Sequence, residues 1–231
     1  MDVKEYFDLP IFKDIPLKTV EEMFNSGKIR DFKKGDIVFF EMEKDDTFYL
    51  ILDGVVGIFV ESEGGKEKIL SILSKGNFFG EMAILEGKPR SAGVRVLEDA
   101  RFLILGKKNF LNMITKEPKL SLNVIVEMSR RLRYTDQQIK DLIFRDAVSR
   151  LARSILVLSD EFGKKKDGDI VIDFAITHQS IAEITGLARE TVSRVFTRFE
   201  EENVLKIEKH RITIHGIEKL RRLAVSEVDQ E

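Results

Sequence analysis

The stretch from Pro118 to Phe144 limits what this chain can fold into more than any other. After Pro118 it holds neither Gly nor Pro and is rich in strong helix formers. Ile125, Met128, Leu132, Thr135, Ile139 and Leu142 follow one another at spacings of 3, 4, 3, 4 and 3. That alternation is a heptad seam, a narrow apolar stripe suited to a second helix of the same kind. The flanks are mostly polar, among them Arg130, Arg131, Arg133, Asp136, Gln137, Gln138, Lys140 and Asp141. A thin stripe with wet flanks fits a two-stranded coiled coil better than a globular core, so the spacing predicts a homodimer. A linker helix packed on its own domain is the plainer reading of the same stripe. Thr135 interrupts the seam with a hydroxyl. A polar seam residue costs stability, and points to register control or to something polar bound at the dimer axis.

The 231 residues allow one or two domains joined by that helix, and 43% apolar residues suffice for real cores. A net charge of -2 announces neither nucleic acid nor membrane, so any basic surface must be local. The absence of Cys excludes disulfides, Fe–S clusters and thiolate metal sites. The segment Met1–Phe12 has no basic start or long apolar run, so a signal peptide is not expected. No apolar run approaches the roughly 20 residues of a membrane helix. The expected location is cytoplasmic. The three histidines, His178, His210 and His215, are scattered through the second half, a poor pattern for a metal or haem site. No P-loop and no nucleophile–base pair is present, so an enzyme is not expected.

Residues 3–26 read as short helical pieces broken by Pro10 and Pro16. From Ile29 the pattern changes to short runs rich in Val, Ile, Leu and Phe: Ile37–Phe40, Phe48–Leu52, Val55–Val60, Lys68–Leu73, Gly93–Val96 and Arg101–Leu105. Glycine turns separate them, and Asp53-Gly54 and Gly64-Gly65 read as hairpin turns. This predicts a β sandwich or barrel, with a jelly roll as the first choice. One segment departs from a plain barrel. Gly80 opens a short helical turn, whose first amides lack intrahelical partners, and Arg90-Ser91 follow a turn set by Gly87 and Pro89. Amides, a guanidinium and a hydroxyl converging on one point make an anion site. Glu81 would repel a phosphate, so its natural task is to accept from a sugar hydroxyl. The same residues also read as a surface Glu81–Arg90 ion pair beside an ordinary loop.

In the second half Asp146 is a candidate N-cap for a helix from Ala147 to Phe162, whose Val148, Leu151, Ala152, Ile155, Leu158 and Phe162 form a core face. Gly163–Asp169, with its three lysines, reads as a loop and Ile170–Phe174 as a strand. Thr177 is a candidate N-cap for a helix ending at Gly186. The next helix places Val192, Val195, Phe196 and Phe199 on one side and Arg189, Glu190, Ser193, Arg194 and Thr197 on the other. That is helix-turn-helix patterning with a polar face free for a major groove. Leu205–Glu208 and Arg211–Ile214 read as a hairpin wing. Residues 147–231 carry 14 basic and 15 acidic side chains, so DNA binding must rest on where charges sit. The acidic tail from Val225 is expected to fray.

Gly80-Glu81 with Pro89-Arg90-Ser91-Ala92 resembles the phosphate-binding cassette of cyclic-nucleotide-binding domains, as do Lys34-Gly35-Asp36 and Asp53-Gly54-Val55-Val56. Residues 10–220 resemble the cyclic-AMP receptor protein and fumarate-nitrate regulator superfamily of bacterial transcription factors. The helix-turn-helix string with Arg189-Glu190-Thr191-Val192 and Arg194 is its most specific part, and Arg130–Thr135 matches the family's dimer helix. The resemblance implies an α+β chain: an effector-binding β jelly roll (1–117), a dimerisation helix (118–145) and a winged helix-turn-helix domain (146–231). It implies that Glu81 bonds the ribose 2′-hydroxyl and Arg90 the cyclic phosphate, with Ser91 and the Gly80 and Ala83 amides completing the cradle. Arg131, Thr135 and Asp136 would meet the base. Arg189, Glu190 and Arg194 would read base edges of a palindrome with TGTGA-like half-sites, while Thr177 and Gln179 hold phosphates, with Ser193 nearby. Cyclic AMP is the first candidate effector, with cyclic GMP the alternative, and RNA polymerase is a candidate partner. The family's Glu-Gly-Asp after the third strand is replaced by Glu41–Asp46, Asp136 stands where the cyclic-AMP receptor has Ser, and Ala188 replaces a frequent Ser. Two other readings stay open: a regulator of this architecture that is permanently active or answers another small molecule, and a ligand-binding interaction module without DNA binding.

Overall fold

The computed structural model describes residues 3–172 and 174–225. The chain is α+β and forms two compact units, Met1–Arg133 and Tyr134–Glu231. The first is a β jelly roll flanked by helices and the second a winged helix-turn-helix domain. The long helix α4 (Pro118–Phe144) contributes to both. The break between the units falls inside this helix.

The first unit opens with two 3-10 turns, Val3–Tyr6 and Pro10–Phe12, then α1 (Leu17–Ser26), entered at Pro16. Six strands follow: β1 (Lys28–Phe32), β2 (Ile37–Phe39), β3 (Thr47–Glu61), β4 (Glu67–Ser74), β5 (Phe78–Phe79) and β6 (Gly93–Gly106). Their order is β1-β6-β3-β4, with β2 paired to β6 and β5 to β3, all antiparallel. Two sequence expectations change here. Phe48–Leu52 and Val55–Val60 belong to one strand, and Asp53-Gly54 is an irregularity within it, not a hairpin turn. Gly93–Val96 and Arg101–Leu105 likewise join into β6. A Cβ on Gly54, at φ 89°, would lie 2.3 Å from the Asp99 carbonyl oxygen, so the bulge packs backbone on backbone and demands glycine. Gly65 does sit in a turn, between β3 and β4, at φ 74°.

Strand alternation builds two cores, because successive side chains leave opposite faces. Phe48, Leu50 and Leu52 pack with α1, with α3 (Lys107–Lys116) through Phe110 and Met113, and with α4 through Leu120 and Val124. Tyr49 and Ile51 turn inward beside Phe39, Phe79, Val94 and Phe102. Only the start of α4 is buried; Ile125, Leu132, Ile139 and Leu142 are exposed, as are Leu122, Val126, Ile143 and Phe144.

In the second unit Asp146 caps α5 (Ala147–Phe162), its carboxylate accepting from Ser149 N at 2.7 Å. Asp141 ties the end of α4 to α5 by receiving Arg145 and Arg153. The sheet runs β7-β8-β10-β9. Gly163–Lys166 is β7, an edge strand and not the expected loop; its lysines protect an open edge from further pairing. The strand expected at 170–174 is β8 (Asp169–Ile172), and Asp173 lies outside the described residues. β9 (Leu205–Glu208) and β10 (Arg211–Ile214) form the wing, turned by Lys209 and His210, both at positive φ. A last helix, α8 (Ile217–Leu223), closes the unit; the acidic tail beyond Val225 lies outside the described residues.

Candidate effector and nucleic-acid sites

The first site forms where β5 leaves the sheet. Tyr49 and Leu50 of β3 hold Phe79 and Phe78, and Gly80, at φ 85°, turns the chain into α2 (Glu81–Glu86). A Cβ on Gly80 would stand 2.5 Å from the Thr47 carbonyl oxygen and 2.6 Å from Arg90 Nη1. Glycine therefore serves both the turn and the close approach. It offers no side chain to cap α2.

Arg90 is 2% exposed, unusual for a charge, and is the largest fully buried side chain among the described residues. Its Nη1 donates to Gly80 O at 2.8 Å, and its Nη2 to Thr47 O at 2.7 Å and to Asp45 Oδ2. Its guanidinium lies 4.1 Å from the Phe39 ring centroid. Nε is buried and, among the described residues, has no hydrogen-bond partner.

Glu81 is 4% exposed, and its Oε2 is likewise buried without a partner. Oε1 receives Arg131 Nη1 of α4 at a long 3.4 Å. Burial pushes its carboxyl pKa up, with Arg131 opposing. Arg131 also donates to Phe78 O at 2.6 Å and pairs with Glu127 at 3.0 Å. The surface Glu81–Arg90 pair that the sequence allowed is not formed: each has another partner, Asp45 for Arg90 and Arg131 for Glu81. Ser91 is exposed, its hydroxyl donating to Met82 Sδ of α2 at 3.6 Å, and Ala83 is buried within α2. Gly80, Glu81, Ala83, Arg90, Ser91 and Arg131 thus gather in the first unit, while Thr135 and Asp136 are exposed residues of the second. Sequence reasoning missed Asp45, Thr47 and Glu127. Glu127 had a signal, its four-residue spacing from Arg131. Asp45 had a weaker one, the acidic run where the family pattern breaks.

The second site is built by α6 (His178–Thr185), Gly186 at φ 68° and α7 (Arg189–Glu201). Thr177 caps α6 through its hydroxyl to Ser180 N at 3.0 Å. Val192, Val195, Phe196 and Phe199 are buried. Arg189, Glu190 and Arg194 are exposed on the opposite face. Ser193 meets His178 Nδ1 at 2.9 Å, and Gln179 donates to Glu183 at 2.8 Å. His178 also lies against Phe196, and burial, then Arg189, lowers its pKa below 6.5. That His178–Ser193 link between the two helices was not foreseen. Among the described residues no cluster of His, Cys, Asp or Glu could hold a metal ion, and no helix is long and apolar enough to cross a membrane.

Together, a nucleotide-cassette jelly roll and a winged helix-turn-helix define a class of ligand-responsive DNA-binding proteins. Residues 29–117 match the family model of the cyclic nucleotide-binding domain, and residues 149–223 that of the Crp-like helix-turn-helix domain. The chain is 31% identical over 199 residues to the cAMP-activated global transcriptional regulator CRP of Escherichia coli, covering 86% of this chain and 94% of that one. It is 28% identical over 214 residues to a CRP-like cAMP-activated global transcriptional regulator of Mycobacterium tuberculosis, covering 93% and 96%. The solved structure of the c-di-GMP responsive global regulator CLP of Xanthomonas campestris shares the fold, with a TM-score of 0.76 at 22% identity, covering 87% of this chain and 100% of that one. The chain belongs to the cyclic-AMP receptor and fumarate-nitrate regulator superfamily of transcription regulators.

Proposed function

We propose that this regulator is a homodimer whose DNA binding is controlled by a cyclic nucleotide, cyclic AMP before cyclic GMP, in the jelly-roll pocket. The observation that carries this is a pair of open valences beside one glycine turn: the unpartnered Arg90 Nε, a donor, and the unpartnered Glu81 Oε2, an acceptor. A phosphorylated sugar supplies the complement of both. Arg90 takes the cyclic phosphate, helped by Ser91 and the Gly80 and Ala83 amides, and Glu81 accepts from the ribose hydroxyl. Arg131, Thr135 and Asp136 face the base.

The exposed stripe Ile125, Leu132, Ile139 and Leu142 supports pairing of two α4 helices. The pair then presents two copies of α7 to successive major grooves, about 34–36 Å apart on a palindrome. Arg189, Glu190 and Arg194 read base edges of TGTGA-like half-sites, and Thr177 and Gln179 hold phosphates with Ser193 nearby. The effector acts to the extent that it binds one arrangement of the helices more tightly than the other. RNA polymerase is the partner through which transcription responds, in the cytoplasm.

Duplex binding with and without each nucleotide tests the reading. Expected is a rise in DNA affinity with cyclic AMP. Equal DNA affinity with and without either nucleotide rejects nucleotide control, and absence of duplex binding throughout rejects the DNA reading. A different effector is the second reading. Asp136, a carboxylate where the cyclic-AMP receptor has Ser, favours it, as do relatives of this fold such as CLP.

A further inference from the structure

We propose that Asp45 is an internal competitor for the effector's anion, seated on Arg90 until a phosphate displaces it. The inference rests on the reading of this pocket as a phosphate site. A guanidinium has five N–H donors and grips an oxyanion with two parallel ones, along either its Nε–Nη2 or its Nη1–Nη2 edge. Each edge uses an Nη2 proton, and both are occupied, by the Thr47 carbonyl and by the Asp45 carboxylate. A bidentate phosphate must therefore evict one of them.

Thr47 O belongs to the backbone of β3, at its first pair with β6, and cannot move without disturbing that pairing. Asp45 stands in the irregular stretch 40–46, and its side chain is 31% exposed. It is also a full anion, so a phosphate on the same buried cation repels it more strongly than it repels a carbonyl dipole. The rest of the stretch stays in place, because Arg90 N donates to Glu43 O and Met42 N to Arg90 O, both at 2.9 Å. Displacement thus swings one carboxylate out while the backbone keeps its register. The same contact explains how a guanidinium is kept buried before ligand arrives: it needs a counter-charge, and Asp45 supplies it. The pocket therefore selects for ligands whose anion outbids a carboxylate, and a neutral nucleoside has nothing to offer Arg90.

The test uses full-length Asp45→Asn, which keeps an acceptor for the Thr47 hydroxyl, with inorganic sulfate, cyclic AMP and adenosine as probes. Binding is read by calorimetry and on the Arg90 Nε–H resonance. Asp45→Asn is expected to bind sulfate and cyclic AMP about tenfold more tightly than the parent, and adenosine equally. Unchanged or weaker sulfate binding overturns the proposal and makes Asp45 a positioning residue for Arg90. Tighter sulfate binding with no cyclic-nucleotide binding by either protein supports Asp45 as competitor and removes only the nucleotide reading. A second readout needs no variant. In the free protein burial would raise the Asp45 carboxyl, but the Thr47 hydroxyl and Arg90 outweigh it and hold it below 3.8. Saturating sulfate should let it rise, and an unmoved Asp45 titration overturns the proposal.

Discussion

At the scale of single residues, the pocket turns on charges placed where charges are costly. Glu81 is buried with one oxygen unanswered, so its carboxyl is held above its ordinary value. A raised acid favours the protonated folded state, so its contribution to stability is full at low pH and is lost as pH rises through the folded value. Glu81→Gln should therefore melt higher than the parent at neutral pH, with the gap closing on acidification, while cyclic AMP binding weakens. A lower melting temperature for Glu81→Gln at neutral pH would contradict this account. Arg90 is a harder residue to probe. Arg90→Ala would not remove ligand response alone. The structure shows that alanine would remove the donors to the Gly80 and Thr47 carbonyls and to Asp45 together, so the fold would lose stability as well. Arg90→Lys keeps the charge without the planar fork, and should weaken cyclic AMP about 10- to 100-fold by calorimetry. At α7, Arg189→Ala should lose about 1–3 kcal/mol of discrimination at one base pair in a binding-site selection. A uniform loss over all sequences would remove Arg189 from base reading.

At the scale of elements, α4 and the α6–α7 pair carry the argument. A helix that buries only Leu120 and Val124 in its own chain, yet exposes Ile125, Leu132, Ile139 and Leu142 at heptad spacing, invites a partner. Each buried Leu or Ile is worth about 1.5–3 kcal/mol, and a two-fold seam counts every residue twice. Leu132→Glu should thus shift sedimentation at micromolar concentration from dimer to monomer and abolish binding to a palindrome. Persistence of the dimer would move the interface elsewhere. The His178–Ser193 bridge predicts a pH effect on the helix-turn-helix. His178 is lowered below 6.5 by burial and by Arg189, so the neutral ring is what the fold prefers. Its contribution is present above 6.5 and is lost as pH falls through the lower folded value. Melting of the protein should fall more steeply below about pH 6 than that of His178→Gln.

At the scale of the whole molecule, two sites of opposite demands share one chain whose net charge is only -2. DNA affinity must come from local cations, so its logarithm should fall linearly with log salt, by about 0.9 per phosphate neutralised. Much of this was legible beforehand. Local rules dictate α4, the Asp146 and Thr177 caps, the wing and the buried side of α7, because periodicity and capping act within a few residues. The order Gly80-Glu81 and Pro89-Arg90-Ser91-Ala92 carried the resemblance to a cyclic-nucleotide cassette. What stayed hidden was decided over distance: the joining of strand runs across Gly54, the lysine edge strand, and the partners of buried charges. Asp45 and Arg90 are 45 positions apart, Glu81 and Arg131 are 50 apart, and no local spacing pairs them. The sequence determined which side chains could bind an anion or a groove. Only folding decided which counter-ion each buried charge would meet, because desolvation is set by the packing of segments remote in the chain.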